Sequence, residues 1–432
     1  MTIFDVAIVG GGLVGCSAAL HLCRRDASVV MLERGQCGSQ ASGVNYGGVR
    51  QQGRDLAELP LARRSRRIWA DLETLVGTDC EFEATGHLKL ARSDAEMAEL
   101  EDYAERARDF NLKLERIGPA QIRARFPWLG DAIVGGSFCA EDGHANPRLV
   151  APAFARAAVA AGADIREGVE VVDATHDCHG FELRMSDGTA LRARRLINAA
   201  GAWGSTVSAW FGEPVPEDVM APNMCVTDSI PYFLVPNLGV CGGDIYVRQI
   251  RRGNVIFGGG VGVADRNQVK ARPLAEVTAK AARLAVGLVP RLATAQVIRT
   301  WSGIEGVMPD GLPVIGFSET TPGLIHAFGF SGHGFQLGPG VGAVLCDLVA
   351  DGSTQTPIAA FHINRFPNTE NVAASRGPAA MVRSAHERSS QQHQGPNLQQ
   401  TKTKGETLWL SLLADAFPER SCFSPAWPLA AS

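Results

Sequence analysis

One stretch near the start of the chain constrains its fold more than any other. An apolar run leads into Gly10-x-Gly12-x-x-Gly15, a helix-like run covers residues 16–25, and a second apolar run ends at Glu33. This order of strand, glycines, helix and strand with a terminal acid is typical of a dinucleotide-binding βαβ unit. A lone glycine triplet would be weak support, but four parts agree in order, so the sequence predicts a dinucleotide site.

Each glycine of this motif has its own task. Gly10 permits the tight turn, Gly12 lets the backbone approach a pyrophosphate, and Gly15 lets helix and strand pack closely. The phosphates would lie at a helix N-terminus, where free N–H groups and the helix dipole favour negative charge. Glu33 follows Gly15 by eighteen residues and is placed to accept hydrogen bonds from an adenosine ribose. An acid there favours a free 2′-hydroxyl over a bound 2′-phosphate.

The composition excludes several classes of protein. Of 432 residues, 45% are hydrophobic and 20% are charged, as in globular proteins, and the net charge of -4 gives no basic footprint for nucleic acid. The 48 glycines suit a fold that lays its backbone against a large cofactor. The ten cysteines include no CxxC pair and no spacing typical of zinc or iron–sulfur sites, so we predict no metal centre.

The chain shows no targeting or membrane-spanning pattern. Its first residues lack a basic region and enter the predicted cofactor strand almost at once, so cleavage of a signal peptide would destroy the fold. No uninterrupted apolar stretch reaches eighteen residues, which predicts that there is no transmembrane segment. We therefore expect a cytoplasmic protein, and association with the inner membrane through a partner stays open.

The order of predicted elements indicates two interleaved domains of a mixed α/β fold. Residues 1–80, 141–205 and 300–366 carry the buried strands and glycine-rich turns of a discontinuous, Rossmann-like cofactor domain. Residues 81–140 and 206–299 are predicted to form an inserted substrate domain built on an antiparallel sheet.

The C-terminal segment differs in composition from the rest. Residues 367–432 include a long stretch of Ser, Gln, Asn, Lys and Gly, a composition that favours a disordered or variable tail. A short apolar patch at residues 408–417 is interpreted either as a helix that docks a partner or as part of a tail without function.

Several stretches together resemble one known family. They are Gly10 to Gly15 with Glu33, the loop 39–50, Asn198-Ala-Ala-Gly-Ala-Trp203, Arg299-Thr-Trp-Ser-Gly303, Pro309-Asp-Gly-Leu-Pro-Val-Ile-Gly316 and Gly329-Phe-Ser-Gly-His-Gly334. The set resembles the D-amino-acid oxidase, glycine oxidase and sarcosine oxidase family of FAD enzymes, over residues 1 to about 366. Within it, Gly-Phe-Ser-Gly-His-Gly-Phe-Gln and Trp-Ser-Gly-Ile-Glu-Gly look most like the β subunits of hydrogen cyanide synthase, opine oxidase and D-hydroxyproline dehydrogenase. A partner subunit or a separate electron acceptor is therefore implied.

The resemblance implies bound FAD and a set of residues that contact it. Those residues would be Gly10, Gly12, Leu13, Val14 and Gly15 at the pyrophosphate; Glu33 and Arg34 at the adenosine; Ser42, Asn45, Gly47, Gly48 and Val49 along the path to the flavin; Val171 at the adenine; Ala200, Gly201 and Trp203 at the diphosphate; and Gly303, Gly332, His333, Gly334, Phe335 and Gln336 by the flavin. N–H groups at a helix start there would stabilise negative charge on the reduced ring.

The sequence also departs from the family pattern. Gly303 stands where monomeric sarcosine oxidases have the cysteine that bonds FAD, so we expect FAD to be non-covalent. The usual substrate-carboxylate partners are replaced by Gln336 and Glu305. A carboxylate substrate would need another cation, and the candidates are Arg50 and Arg248, the latter beside Tyr246 on a predicted strand.

The implied chemistry is oxidation of a C–N bond in an amino acid or secondary amine. Hydride would pass from the neutral amine to flavin N5, and the imine would be hydrolysed, with Arg50, Tyr246, Arg248 and His333 as the candidate catalytic residues. A dehydrogenase is preferred to a peroxide-forming oxidase, because no lysine occurs at 254–259, where the oxygen-activating lysine would align. A non-catalytic or tRNA-modifying flavoprotein is the alternative from another class.

Overall fold

The computed structural model describes residues 3–366, all of which belong to one compact unit. The predicted tail and the apolar patch at 408–417 lie outside the described residues. The helices are α1 (Leu13–Cys23), α2 (Ala41–Val44), α3 (Leu59–Ala70), α4 (Leu72–Val76), α5 (Asp94–Ala107), α6 (Pro119–Arg125), α7 (Pro147–Ala160), α8 (Gly204–Trp210), α9 (Ala275–Leu288) and α10 (Gly334–Asp351).

The strands form two large sheets and three short pairs. They are β1 (Ile3–Val9), β2 (Val29–Glu33), β3 (Gly48–Val49), β4 (His87–Ala91), β5 (Glu115–Ile117), β6 (Gly135–Cys139), β7 (Gly143–His144), β8 (Asp164–Glu167), β9 (Val171–Asp177), β10 (Gly180–Met185), β11 (Ala190–Asn198), β12 (Asp218–Met220), β13 (Pro222–Ser229), β14 (Asn237–Val240), β15 (Tyr246–Gln249), β16 (Asn254–Val261), β17 (Val263–Asp265), β18 (Lys270–Arg272), β19 (Val297–Trp301), β20 (Glu305–Val307), β21 (Val314–Phe317) and β22 (Leu324–Phe328).

The first sheet has the order β21-β22-β11-β1-β2-β8 and is parallel except at the β21 edge. Four successive residues of β1, Val6 to Val9, are buried, as expected for a parallel strand covered on both faces. Val6 and Ile8 pack toward α1, α7 and α10, whereas Ala7 and Val9 pack toward β9, β10 and α8. The mixed α/β class and the Rossmann-like core are thereby confirmed.

One predicted strand proves to be two. The sequence indicates a single strand over 164–173, but β8 ends at Glu167 and pairs with β2, and β9 begins at Val171 and pairs with β10. Gly168 lies between them with a φ of +71°, a conformation that glycine adopts without strain. This glycine turns the chain out of the parallel sheet and into an antiparallel meander.

The second sheet has the order β19-β13-β16-β15-β14-β4-β6-β5, and only the β14–β4 pair in it is parallel. One of its faces is apolar: Leu88, Leu238, Val247 and Phe257 belong to a core that includes residues of α9. The sheet is built from residues 87–301, whereas the first sheet takes strands from both ends of the chain. The division into two domains at the stated boundaries stays a prediction, since the described residues belong to one compact unit.

The opposite face of the second sheet carries a row of larger polar and aromatic side chains. Neighbouring positions across the strands share a face, and the register aligns Lys89 with Gly239, Tyr246, Gly258, Met224 and Trp301. Two positions along β4 and β15, His87 and Arg248 lie on the same face. This face packs against residues 44–54, because Trp301 Nε1 donates to the Val44 carbonyl at 2.7 Å.

Helix α10 begins earlier than its sequence suggests. The run Gly334 to Gly340, which contains Pro339, is predicted as a loop before an apolar helix, yet the helix starts at Gly334. Its glycines allow close contact with neighbouring helices: a Cβ at Gly338 would lie 2.8 Å from Leu13 Cγ, and one at Gly342 would lie 2.3 Å from Ser17 Oγ. Tight packing of α10 on α1 therefore outweighs the low helix propensity of glycine.

Gly342→Ala is expected to lower the free energy of unfolding by about 1–3 kcal/mol, because the added methyl group overpacks the contact with Ser17 and the backbone of Ala18. The matched control is Gly287→Ala in α9, where nothing lies within 4 Å of the new Cβ. That change should raise stability by up to about 1 kcal/mol through helix propensity. Urea denaturation of both variants measures the difference, and equal stabilities would contradict this view of the α1–α10 contact.

Candidate cofactor and substrate site

A cavity of about 360 Å³ opens at the carboxyl ends of β1, β2 and β11. Ligands of open α/β sheets bind at this edge. Nine residues predicted to hold FAD line it: Gly10, Gly12, Glu33, Arg34, Ser42, Val171, Ala200, Gly201 and Trp203. They come from four separate parts of the chain, and the fold brings them together.

The turn at residues 10–15 is closed by backbone contacts that no larger residue permits. Gly10 has a φ of +107°, and a Cβ there would lie 2.3 Å from the Ala199 carbonyl oxygen. A Cβ at Gly15 would lie 2.0 Å from the Gly10 carbonyl oxygen. The side chain of Ser42 approaches the turn from α2 and accepts a hydrogen bond from Leu13 N at 2.9 Å. The cavity wall at this turn is thus bare backbone at the start of α1, as phosphate binding requires.

Glu33 holds the turn together in the structure. Its two carboxylate oxygens accept hydrogen bonds from Gly11 N at 2.6 Å and from Gly35 N at 2.7 Å. The side chain lines the cavity, but its contact with a ribose stays a prediction.

Arg34 and Trp203 form the adenosine end of the cavity. The Arg34 guanidinium carbon lies 3.6 Å from the centre of a Trp203 ring, and Arg34 Nη2 is buried with no hydrogen-bond partner among residues 3–366. A buried donor without a partner is costly, and an anionic or polar ligand would satisfy it. Together with the cradle at Gly10 and Gly12, this donor fits the adenosine diphosphate part of FAD.

Other predicted contacts take different positions. Val14 and Gly15 are buried within α1, so only the turn that they support faces the cavity. The sequence missed several residues of the loop after β2 and of β9 that also line the cavity, namely Gln36, Gly38, Ser39, Gln40, Ala41, Glu170 and Val172. The Ser- and Gly-rich composition of the loop was the available signal, and β9 offered none.

The segment after α2 joins the cavity to the second sheet. Asn45 ends α2 and accepts a hydrogen bond from Gly47 N at 2.7 Å, and Gly48 and Val49 form β3, which pairs with β7. A Cβ at Gly47 would lie 2.8 Å from Arg248 Nη2, so this glycine lets the guanidinium approach the backbone. Gly303 lies against the same segment, because a Cβ there would be 2.0 Å from Val44 Cγ2.

Arg248 is buried, with 3% of its surface exposed, although the sequence left open a solvent-facing position beside Arg251 and Arg252. Its Nε donates to the Tyr46 carbonyl at 2.8 Å, and its guanidinium carbon lies 5.3 Å from the Tyr46 ring centre. Burial lowers the pKa of Arg248 to about 10, so the side chain stays charged at neutral pH. Tyr246 packs edge-on against Tyr46 with ring centres 4.7 Å apart.

His333 lies before α10 and is fixed by Glu58. Its Nδ1 is 2.9 Å from Glu58 Oε2, and the Glu58 carboxylate is fully buried. Burial, with the nearby Arg54, lowers the pKa of His333 to about 4, and the favourable effects of His333 and Arg54 outweigh burial to lower the pKa of Glu58. A neutral imidazole therefore donates Nδ1–H to an ionised carboxylate, which leaves Nε2 as an acceptor. Sequence reasoning missed Glu58, which is 275 residues away.

Arg50 stands among other cations. A Cβ at Gly53 would lie 3.0 Å from both Arg50 Nη1 and Lys89 Nζ. Arg54 donates from Nε to the Arg50 carbonyl at 3.0 Å, and its Nη1 is buried without a partner among the described residues. Burial, with the charge of Arg50, lowers the pKa of both Lys89 and Arg54. Such a concentration of positive charge favours an anionic ligand.

Two predicted flavin contacts turn out to be core residues. Phe335 packs against Trp69 with ring centres 5.2 Å apart, and Gln336 donates to the Ala62 carbonyl at 2.9 Å. Both side chains are buried between α10 and α3. Only their backbone remains available for a flavin, as for the neighbouring Gly332 and Gly334, and these contacts stay predictions.

Comparison with known proteins decides the family. The family of FAD dependent oxidoreductases named DAO matches residues 5–348, which is more than half of the chain. This chain belongs to the DAO family. The family resemblance of the sequence, the FAD cofactor and the assignment as an oxidoreductase are thereby confirmed.

Relatives cover the described body almost completely. Glycine oxidase of Geobacillus kaustophilus is 29% identical over 373 residues, which is 84% of this chain and 97% of the relative. The opine oxidase B subunit of Rhizobium meliloti is 28% identical over 374 residues with the same coverage. The crystal structure of L-proline dehydrogenase from P. horikoshii superposes with a TM-score of 0.78 at 26% identity, covering 84% of this chain and 97% of that one. In residues 3–366, no helix is both long and apolar enough to cross a membrane.

Proposed function

We propose that this DAO-family enzyme oxidises the C–N bond of an amino acid or secondary amine and that its FAD is bound without a covalent link. Bound FAD supplies the redox chemistry by accepting a hydride at N5, and water then hydrolyses the imine product. The names of the relatives, glycine oxidase and L-proline dehydrogenase among them, support an amino-acid substrate. The tight contact of Gly303 with Val44 supports a non-covalent flavin, since no side chain projects from that position.

The observation that carries the proposal is the buried Arg248 beside Tyr246 on one sheet face. Only Nε of this guanidinium has a hydrogen-bond partner among residues 3–366, namely the Tyr46 carbonyl. A charged, buried fork of N–H donors without a carboxylate is matched to a substrate carboxylate, which it can bind in a bidentate manner. Tyr46 and Tyr246 would close the sides of that position and exclude water.

The other candidate residues have distinct tasks in this account. Arg50, with Lys89 and Arg54 around it, makes the region attractive to anions and is the second candidate for the carboxylate. His333 is held as a neutral imidazole by Glu58, so its Nε2 can accept a proton or a hydrogen bond. The structure leaves the assignment of these roles to experiment.

A peroxide-forming oxidase is the second candidate, and one observation favours it. No lysine occurs at 254–259, but Lys89 lies in the same row of the sheet as Gly258, on the same face. Burial lowers the pKa of Lys89, and its Nζ lies beside Arg50. A lysine from β4 would thus supply the positive charge that oxygen reduction uses. The opine oxidase B subunit among the relatives supports the alternative of a partner protein that accepts the electrons.

Anaerobic bleaching of the flavin tests the proposal directly. The panel contains D- and L-amino acids, N-methyl amino acids, prolines and opines, and at least one of them is expected to bleach the flavin. If none does, a non-catalytic or tRNA-modifying flavoprotein becomes the better account.

Arg248→Met is expected to weaken the binding of the best carboxylate substrate about 10- to 100-fold, because a charge-assisted hydrogen bond contributes roughly 1.5–3 kcal/mol. The matched control is Arg251→Met, which removes an exposed arginine paired with Glu83 near the end of the same strand. The dissociation constant follows from the substrate dependence of the bleaching rate. Equal constants for the two variants would remove Arg248 from the substrate site.

Lys89→Met separates the dehydrogenase from the oxidase. If Lys89 assists oxygen reduction, the rate at which the reduced enzyme reacts with oxygen should fall about tenfold or more, while reduction of a dye by the same enzyme is kept. Lys270→Met, on the exposed strand β18, is the control. An enzyme that forms no peroxide, with or without Lys89, is a dehydrogenase.

A further inference from the structure

Glu305 is an exception among the buried carboxylates of the described chain. Glu58 is bonded to His333, Asp142 to Gln51 and Gln52, Glu213 to His326, and Glu217 to Ser205 N. By contrast, Glu305 Oε2 is buried and has no hydrogen-bond partner within residues 3–366. A buried polar group without a partner is costly, so a native structure that keeps one calls for a reason.

The surroundings of Glu305 contain no compensating charge. Met220 is its partner across the β12–β20 pair, and a Cβ at Gly332 would lie 3.6 Å from both Glu305 Oε2 and Met220 Cε. Tyr246 is close enough to feel the carboxylate, but its hydroxyl is 3.3 Å from Met224 Sδ. Burial alone raises the pKa of Glu305 to about 7.

The remaining titratable neighbour lies on the other side of the strand. Glu217 approaches Gly306, where a Cβ would lie 2.2 Å from Glu217 Oε1, and successive residues of a strand point to opposite sides. Glu305 therefore faces Tyr246, Met220 and the loop at Gly332 without a cation. An isolated carboxylate in such a position attracts a positive charge.

We propose that Glu305 binds a positively charged nitrogen of the substrate. The inference rests on the proposed function, because an amine substrate carries an ammonium group at neutral pH. Tyr246 and Arg248 occupy positions i and i+2 of β15 and share a face, so the partner of an anion and the neighbour of Glu305 are one strand repeat apart. The site is thus dipolar, with a place for a carboxylate at Arg248 and a place for an ammonium group at Glu305.

A pair of ligands that differ only in charge tests the site in the FAD-loaded enzyme. tert-Butylammonium and tert-butanol have nearly the same shape, and neither carries hydrogen on the carbon next to its heteroatom, so neither can be oxidised there. Binding is measured at pH 8 from the change in the flavin absorption spectrum. The wild type is expected to bind the ammonium ligand at least about tenfold more tightly than the alcohol.

Glu305→Gln should abolish this preference, and Glu305→Asp should keep part of it. Glu217→Gln is the control, since Glu217 is a buried carboxyl already bonded to Ser205 N, and its loss should leave the ratio unchanged. The melting temperature and flavin spectrum of each variant show whether it is folded. An unchanged ratio in folded Glu305→Gln, or a wild type that binds neither ligand or prefers the alcohol, overturns the proposal.

The pH dependence of the wild type gives a second measurement that needs no variant. Affinity for the ammonium ligand, which stays protonated throughout, should fall between pH 8 and pH 5.5 as Glu305 takes up a proton, whereas affinity for the alcohol should not. A flat profile for both ligands also overturns the proposal. If no amine bleaches the flavin but the ammonium preference depends on Glu305, the proposed function fails and this site stands.

Discussion

The contact between the Gly10–Gly15 turn and the strand end at Ala199 is the constraint on which the rest of the structure depends. Two parallel strands, β1 and β11, end side by side, and the backbone of one meets the backbone of the other with no room for a side chain. That contact opens the start of α1 to the cavity. Glu33 then ties the end of β2 to the same turn through Gly11 N. The cofactor cavity is the space left between three strand ends that are held in this way.

The second sheet completes the site by presenting one polar face to the segment that leaves the cavity. Residues 44–54 run from α2 past the sheet, and they meet it at Trp301, Arg248, His87 and Lys89 through the contacts of Val44, Tyr46, Gln52 and Gly53. The opposite face is apolar and packs toward α9. Simple alternation along the strands thus separates the core from the row that contains Tyr246, which explains how an unspecialised sheet can carry a substrate site.

Local sequence patterns were sufficient for the cofactor half of the site. The strand, the three glycines and the terminal Glu33 lie within 33 residues, and their order alone predicts the βαβ unit that is observed. The start of α10 could not be predicted in this way, since its glycines are explained by contacts with Leu13 and Ser17 that are remote in sequence. The same holds for the His333–Glu58 pair and for the row that joins Lys89 to Tyr246, because strand register decides them. The family resemblance supplied the cofactor, whereas the unpaired state of Glu305 and the burial of Arg248 came only from the structure.

The most direct test of the account is the flavin content of the purified protein. The account predicts a yellow protein with about one FAD per chain, and acid precipitation should release that FAD into the supernatant because Gly303 offers no side chain for a covalent bond. A protein that is colourless and stays so when FAD is supplied in excess would contradict the account at its base. Flavin that remains attached to the precipitate would contradict the non-covalent site.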